Sequence, residues 1–401
     1  MTRELLVFFS FLVVFSYILE VFSKKIRIPA VIFLIASGMA IGWIGRSFSV
    51  KIPDITPYLM LIGGVSLVLV VLQGAMELKW TPQKNKMILN MLLMCILPMI
   101  TLSFMVAGFF YFKNHTPFTQ TLYNVIPIAI ISSAIAIPAA QLLNHKAREQ
   151  IVYESSFSDI LGILFFDFVF RDHGDLLKES GLFVAELGGT FILTVLATIL
   201  IAWLLGYIPS GIRFIPILGT LVFVFEVAEY FQLPALIFIF VFGLFIGNLE
   251  RFINLPLLHH IKPERILNHT GEFYNIVTEL GFLARSFFFL TLGLYVKPSL
   301  FVDYHALIWA SGILLLAFLI RFLYLKLLRI HVKPNILFAP RGLVTILLFL
   351  YIPAGKHIEA ISFNVVIMVV LLSTLVLAIV GLMQDEKEKE GEMKLKANHK
   401  S

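Results

Sequence analysis

Two stretches of the sequence share one pattern and lie 205 residues apart. The first is IPAVIFLIASGMAIG at 28–42, and the second is LPALIFIFVFGLFIG at 233–247. The proline, the alanine and both glycines fall at the same positions in each stretch. Proline-alanine followed by two glycines four residues apart is also common in membrane helices, since small residues allow close packing. The equal offset nevertheless favours an internal repeat made of two copies of one helical unit.

The overall composition indicates that both copies lie in a membrane. Of the 401 residues, 59% are hydrophobic and 14% are charged, and the mean hydropathy is +0.93. A soluble domain carries about 25% charged residues, so these charges are too few to cover a water-facing surface. No space remains for a large soluble catalytic domain, and we do not expect an enzyme. A single cysteine, Cys95, excludes a disulfide framework.

The apolar runs are long enough to span a membrane thirteen times at about 20 residues per span. They fall at about 5–22, 28–45, 57–77, 87–112, 121–143, 151–170, 182–206, 214–231, 233–248, 273–296, 306–328, 336–354 and 361–383. Only Gln232 and Pro234 mark the turn between the eighth and ninth runs. We predict an all-α polytopic membrane domain over residues 1–383, followed by a short disordered tail of mixed lysine and glutamate at 384–401.

The lysines and arginines predict the orientation in the membrane. With the N-terminus outside, the loops on the inner side carry 15 of them and the outer segments carry 8. Cytoplasmic loops normally hold this excess. The prediction is therefore a cell (inner) membrane protein with its C-terminus in the cytoplasm, and the net charge of +6 does not indicate nucleic acid. The repeated stretches become the second and ninth spans and cross in opposite directions, as in many secondary transporters.

The sixth span carries Glu154-Ser155-Ser156-Phe157-Ser158-Asp159. Asp159 lies about 12 Å from the inner end of this span, near the membrane midplane. Ionisable residues at this depth are costly and mark function. Carboxylate and hydroxyl oxygens are ligands that a hard cation prefers, and Ser155 and Ser158 share helix faces with Asp159 and Glu154. Because removal from water disfavours a charged carboxylate, H⁺ and a metal cation would compete for Asp159.

Three arginines lie within spans. Arg321 is in the inner half of the eleventh span, at a depth that matches Glu154. An ion pair between them would cancel both charges and leave Asp159 as the one titrating carrier, and its loss would be strongly destabilising. Arg341 is a second candidate partner for Glu154. For Arg285 a structural role is the simpler expectation.

The fifth and twelfth spans contain helix-breaking residues near their middle. These are Pro127, Ser132, Ser133 and Pro138 in the fifth span, and Pro340, Arg341, Gly342 and Thr345 in the twelfth. Proline removes a backbone donor, and freed carbonyls and half-helix ends can bind ions. Plain proline kinks would give the same pattern. The two spans are again seven apart, as the repeat requires, so we predict two broken helices with Ser132 and Ser133 near the cation.

These motifs resemble those of the monovalent cation:proton antiporter superfamily, in its sodium/proton exchanger branch. Glu154-Ser155-x-x-Ser158-Asp159 is similar to that branch's Glu-Ser-x-x-Asn-Asp signature, and Pro340–Val344 is similar to its Arg-Gly motif. Arg321 falls where the family places the arginine that pairs with the signature glutamate. The resemblance implies a dimerisation domain, a mobile core domain with two crossed broken helices, and alternating access of the elevator type.

Two departures from the family pattern bear on ion selectivity. Ser158 stands where the signature has asparagine, and Ser132-Ser133-Ala134 stands where the branch usually has Thr-Asp-Pro, which is closer to potassium efflux relatives. We therefore predict electroneutral exchange of one Na⁺ or K⁺ for one H⁺ at Asp159, by a homodimer in membrane lipid without a cofactor. The alternatives are a potassium efflux protein and a sodium-coupled organic-anion symporter, for which Arg285 could supply the anion site.

Overall fold

The computed structural model describes residues 2–26, 28–48, 56–141, 143–170, 214–231, 235–252, 263–333 and 335–379, with some helical residues between 181 and 197. Every regular element in these residues is a helix. The main α-helices are α1 (Thr2–Ile26), α2 (Ala30–Ser47), α3 (Thr56–Glu77), α4 (Asn85–Asn114), α5 (Phe118–Ala129), α6 (Ser133–Ala140), α7 (His145–Phe170), α8 (Phe214–Tyr230), α9 (Ala235–Gly247), α10 (Pro263–Tyr295), α11 (Tyr304–Leu327), α12 (Leu343–Tyr351) and α13 (Phe363–Ile379). Short helical turns occupy Pro82–Lys84, Leu249–Phe252, Pro298–Val302 and Ala354–Lys356.

Most predicted spans coincide with these helices. Six segments of the described chain are long and apolar enough to cross a membrane, and four shorter apolar helices accompany them. The predicted twelfth span at 336–354 was wrong in extent, since only Leu343–Tyr351 is helical, and α10 begins ten residues before the predicted 273. Most of the seventh span, the turn at Gln232 and Pro234, and the tail at 384–401 lie outside the described residues.

The helices pack into two bundles. In the support bundle, α2 packs against α10, α3 packs against both α9 and α10, and α1 and α8 pack on the outside. In the core bundle, α4, α5, α6, α7, α11 and α12 pack together, and α13 joins them through Ser373, which accepts a hydrogen bond from the Arg341 amide. The single cysteine, Cys95, is buried in α4 of the core bundle. The two bundles meet mainly where α3 contacts α6, α7 and α12.

The two copies of the repeat pack in the same way. A Cβ at Gly38 or Gly42 of α2 would approach the carbonyl oxygens of Leu290 and Leu294 in α10 to 2.1 and 2.8 Å. A Cβ at Gly243 or Gly247 of α9 would approach those of Leu72 and Met76 in α3 to 3.0 and 2.5 Å. The contacted residues of α3 and α10 are themselves 218 apart in both pairs. In each copy, the helix with the two glycines therefore packs against the helix that follows the glycine helix of the other copy. This equivalent packing confirms the internal repeat.

Candidate functional site

The break between α5 and α6 meets the extended residues before α12 in the core bundle, at the two places where the sequence predicts breaks. Residues 130–132 separate α5 from α6, and residues 338–342 precede α12 without helical structure. The amide of Ser132 donates to the carbonyl of Pro340 at 2.8 Å, so the two breaks touch. Gly342 makes this approach possible, because a Cβ there would lie 2.8 Å from Ser132 Oγ and 2.7 Å from Ile135 Cδ1.

Arg341 lies where the two breaks meet but does not share the ion pair of Glu154. Its Nε donates to the carbonyl of Ile128 at 3.0 Å, and its Nη1 donates to the carbonyl of Ala339. The last carbonyls of a helix lack partners and carry partial negative charge. The guanidinium therefore satisfies the C-terminal end of α5. The suggested pairing of Arg341 with Glu154 was wrong, because the extended residues before α12 direct its side chain to these carbonyls.

Asp159 lies on α7 opposite the start of α6 and has no exposed surface. Its Oδ2 accepts hydrogen bonds from the amide of Ser133, at 3.1 Å, and from the Ser133 hydroxyl. The first amides of a helix lack intrahelical partners, and its N-terminus favours negative charge. Asp159 thus caps α6 from a neighbouring helix. Its second oxygen, Oδ1, has no hydrogen-bond partner among the described residues.

Other buried oxygens, on the core helices and on α3 beside them, also lack hydrogen-bond partners in the described part of the chain. They are Ser132 Oγ in the first break, Thr345 Oγ1 in α12, Ser156 Oγ in α7 and Gln73 Oε1 in α3. Buried polar atoms in folded proteins are usually hydrogen-bonded. The free oxygens of Asp159 and Ser132, which both lie at the first break, therefore mark a place suited to a ligand. Gln73 and Ser156 are not among the site residues predicted from the sequence, although a polar residue in an apolar span was a usable signal.

Ser158 and Ser155 are near Asp159 in sequence but are engaged elsewhere. Ser158 Oγ accepts a hydrogen bond from the amide of Ile131 in the first break, at 2.8 Å. The Ser155 hydroxyl donates to the carbonyl of Ile151 in its own helix, also at 2.8 Å. Ser158 therefore helps to hold the break open, while Ser155 is bonded within α7.

Glu154 and Arg321 form a two-point contact between α7 and α11. Arg321 Nη2 lies 2.8 Å from Glu154 Oε2, and Nη1 contacts Oε1. Arg321 Nε and Nη2 also donate to the carbonyl of Asn335, just before the second break. Both charged side chains are 3% exposed. The two opposite charges cancel, and the remaining donors of Arg321 are satisfied by the Asn335 carbonyl. Arg321 therefore does not hydrogen-bond to Asp159.

A cavity of about 130 Å³ lies at the seam between the bundles. The support bundle contributes walls from α1, α2 and α10, and the core bundle contributes α6, from Ala134 in its first turn to Ala139 near its end. Ala134 directly follows Ser133, which holds Asp159. The cavity also includes Ile28 in the turn between α1 and α2, at the predicted inner face. It therefore lies between that face and the helix end that Asp159 caps.

Comparison with known proteins identifies a matching family model and a solved structure with a similar fold. The family model for the transmembrane part of the sodium/hydrogen exchanger matches residues 10–382. The structure of the sodium proton antiporter MjNhaP1 from Methanocaldococcus jannaschii at pH 8 superposes with a TM-score of 0.71 and 18% identity, covering 96% of this chain and 98% of that one. An electron-microscopy structure of the same antiporter gives the same values.

A comparison with curated protein sequences gives no significant match. The structural likeness, at 18% identity, concerns the fold. The family match is a separate observation, and it extends over nearly all of the residues that form both bundles. The chain therefore belongs to the sodium/hydrogen exchanger family of membrane transporters.

Proposed function

We propose that the protein exchanges a monovalent cation, Na⁺ or K⁺, for H⁺ across the cell membrane, with Asp159 as the shared binding site. The observation that carries this proposal is the state of the Asp159 carboxyl group. One of its oxygens is held by Ser133, and the other is buried without a hydrogen-bond partner among the described residues.

A buried carboxylate in this position requires a positive partner. Leaving it charged and unpaired at this depth is costly, and either a proton or a metal cation removes the cost. Asp159 Oδ1 and the hydroxyl oxygens of Ser132 and Thr345 are oxygen donors of the kind that Na⁺ and K⁺ accept. In this proposal Ser133 and Ser158 position the break, Ser155 supports α7, and Glu154 acts through its pair with Arg321.

The charges of the core bundle favour one-for-one exchange. Glu154 and Arg321 cancel each other, and Arg341 keeps a fixed charge at the end of α5. Occupation of Asp159 by H⁺ or by Na⁺ then adds the same single charge. The two loaded states carry equal charge through the membrane, so the complete cycle moves no net charge. The membrane potential, worth about 2.3 kcal/mol per charge per 100 mV, would neither drive nor oppose it.

Alternating access in this proposal comes from motion of the core bundle against the support bundle, as in an elevator. The seam between them offers a narrow surface for this motion. Gly74 of α3 faces Ser156 of α7, since a Cβ at Gly74 would lie 2.9 Å from Ser156 Oγ. Phe157 and Phe240 pack edge to face across the same seam, with ring centroids 6.1 Å apart. A homodimer would hold the support bundles fixed in the membrane.

Replacement of Asp159 tests the proposed site. Asp159→Asn keeps the shape and the contact with Ser133 but removes the charge, so we expect the loss of exchange in a folded protein. The measurement is dye-reported H⁺ flux and ²²Na⁺ uptake in proteoliposomes driven by a proton gradient alone. Asp167→Asn, on the same helix, is the matched control and should retain exchange.

The same vesicles distinguish the alternatives. Parallel runs with Na⁺, K⁺ and Li⁺ identify the cation, and a potential imposed with valinomycin in Na⁺-loaded vesicles should leave the rate unchanged. Retained exchange in Asp159→Asn would remove Asp159 from its role. Uptake of Na⁺ that requires an organic anion would favour a symporter, and a strong voltage dependence would contradict the one-for-one stoichiometry.

A further inference from the structure

The cavity at the seam contains charges that the proposed mechanism does not use. Among the described residues that line it, the basic side chain is Arg285 of α10 and the acidic one is Glu20 of α1. Most of the remaining wall is apolar, formed by residues such as Leu34, Ile135 and Phe289. A charge in such a cleft acts over a longer distance than in open water, because apolar walls concentrate its field.

Arg285 acts here mainly through its charge. No hydrogen bond or salt bridge of Arg285 is found within the described residues, and the acidic groups whose charge acts on it are Glu20 and Glu77. Next to it in the cavity wall, Ser286 is 1% exposed and its hydroxyl has no partner in the part of the chain that the structure describes. The guanidinium of Arg285 is therefore part of the cavity wall without a direct hydrogen-bond partner among the described residues.

We infer that Arg285 sets the affinity with which the inward-facing state binds its cation, acting at a distance on Asp159 through the cavity. This inference rests on the proposed function. The wall of the cavity includes Ala134, next to the Ser133 that holds Asp159. A cation that reaches Asp159 from this side passes the guanidinium and is repelled by it. Arg285 thus weakens inner binding and favours release of the cation on that side.

The charge of Arg285 affects H⁺ and Na⁺ equally, because each carries one positive charge. Both dissociation constants at Asp159 are therefore raised by the same factor. At alkaline pH, where few protons compete, the inner KM for Na⁺ reports the Na⁺ constant and contains that factor. At acidic pH, where H⁺ competes strongly, the KM depends on the ratio of the two constants and the factor cancels. A change in shape at the site would not produce this paired result.

Arg285→Gln is the direct test. In membrane vesicles of defined sidedness, we expect the inner KM for Na⁺ at alkaline pH to fall roughly three- to tenfold, the effect of one unit charge acting through a partly hydrated cavity. At acidic pH the inner KM should stay unchanged, and the outer KM should not change at either pH. The difference should shrink in high concentrations of a bulky non-transported salt, since the Debye length falls from about 10 Å at 0.1 M to about 3 Å at 1 M.

Three variants serve as controls. Arg285→Lys keeps the charge and should behave like the native protein. Arg46→Gln removes a basic residue of α2 that donates to the carbonyl of Leu294 and should leave the inner KM unchanged. Glu20→Gln removes the negative charge of the cavity and should raise the inner KM at alkaline pH, and it provides the test if Arg285→Gln does not fold.

The outcomes separate this inference from the proposed function. If the native protein shows no cation:proton exchange, the proposed function fails. If the native protein exchanges, three results would overturn the inference about Arg285 while the proposed function stands. Arg285→Gln could leave the inner KM at alkaline pH unchanged, or it could lower the inner KM equally at both pH values. Arg285→Lys could change the inner KM as much as Arg285→Gln does.

Discussion

The support bundle and the core bundle are held together by different kinds of contact. In the support bundle, glycines of α2 and α9 allow main-chain carbonyls of α10 and α3 to approach within van der Waals distance. In the core bundle, buried polar groups join the helices: Glu154 to Arg321, Asp159 to Ser133, and Arg341 to the end of α5. The first kind of contact fixes helix positions, while the second fixes charges and leaves oxygens free for a ligand.

The largest effect is expected in the core bundle at the buried ion pair. Arg321→Ala leaves Glu154 charged and unpaired in the membrane interior, which should cost about 3–5 kcal/mol of stability. Thermal unfolding in detergent, followed by tryptophan fluorescence, measures the loss. The double variant Glu154→Gln/Arg321→Gln removes both charges and should recover part of it. Equal destabilisation by the single and double variants would show that the unpaired charge of Glu154 is not the cause of the lost stability.

A smaller effect is expected in the support bundle at its closest contact. In Gly38→Ala the new methyl group would lie 2.1 Å from the Leu290 carbonyl oxygen, and the backbone must move apart at about 1–3 kcal/mol. Gly64→Ala on α3 is the matched control, because nothing lies within 4 Å of a Cβ there. The same unfolding measurement should separate the two variants. Similar unfolding temperatures would indicate that close packing of α2 on α10 contributes little.

The smallest effect on stability is expected at the seam, where motion matters more than packing. In Gly74→Ala the added methyl group meets Ser156 Oγ at 2.9 Å, and this small side chain can rotate away at low cost. Motion of α7 along α3 would still meet the extra methyl group. We expect a several-fold slower maximal exchange rate with nearly unchanged thermal stability, compared with Gly64→Ala. An unchanged exchange rate would argue against sliding at this contact.

The sequence predicted the parts of this molecule that depend on composition and spacing. Apolar runs located most spans, proline and glycine located both breaks, and the equal offset of the glycines located the repeat. It did not predict that residues 338–342 are extended up to Leu343, because helix loss beside a proline depends on tertiary partners. Polar residues that follow the helical period indicated the faces of α7. The partners of Ser158 and Arg341 could not be predicted, because they are main-chain groups in the first break and at the end of α5.

Asp159, Ser132 and Ser133 of the candidate site could be named from the sequence, but the other buried oxygens could not. The depth of Asp159 followed from counting residues along α7, and the structure brings it into contact with Ser133. That both residues lie near the cation stays a prediction. Whether Asp159, Gln73 and Ser156 each keep an oxygen without a hydrogen-bond partner depends on how α3, α6 and α7 pack together. Spacing within one helix carries no information about such a meeting.

The burial of Cys95 makes the native chain convenient for chemical labelling. The sole thiol of the sequence is 2% exposed, so reagents added from water would react slowly with the unmodified protein. The labelling of single cysteines introduced along the seam could then be measured with little reaction at Cys95. Their accessibility from each side, with and without Na⁺, would report which face is open without any change to the native sulfur.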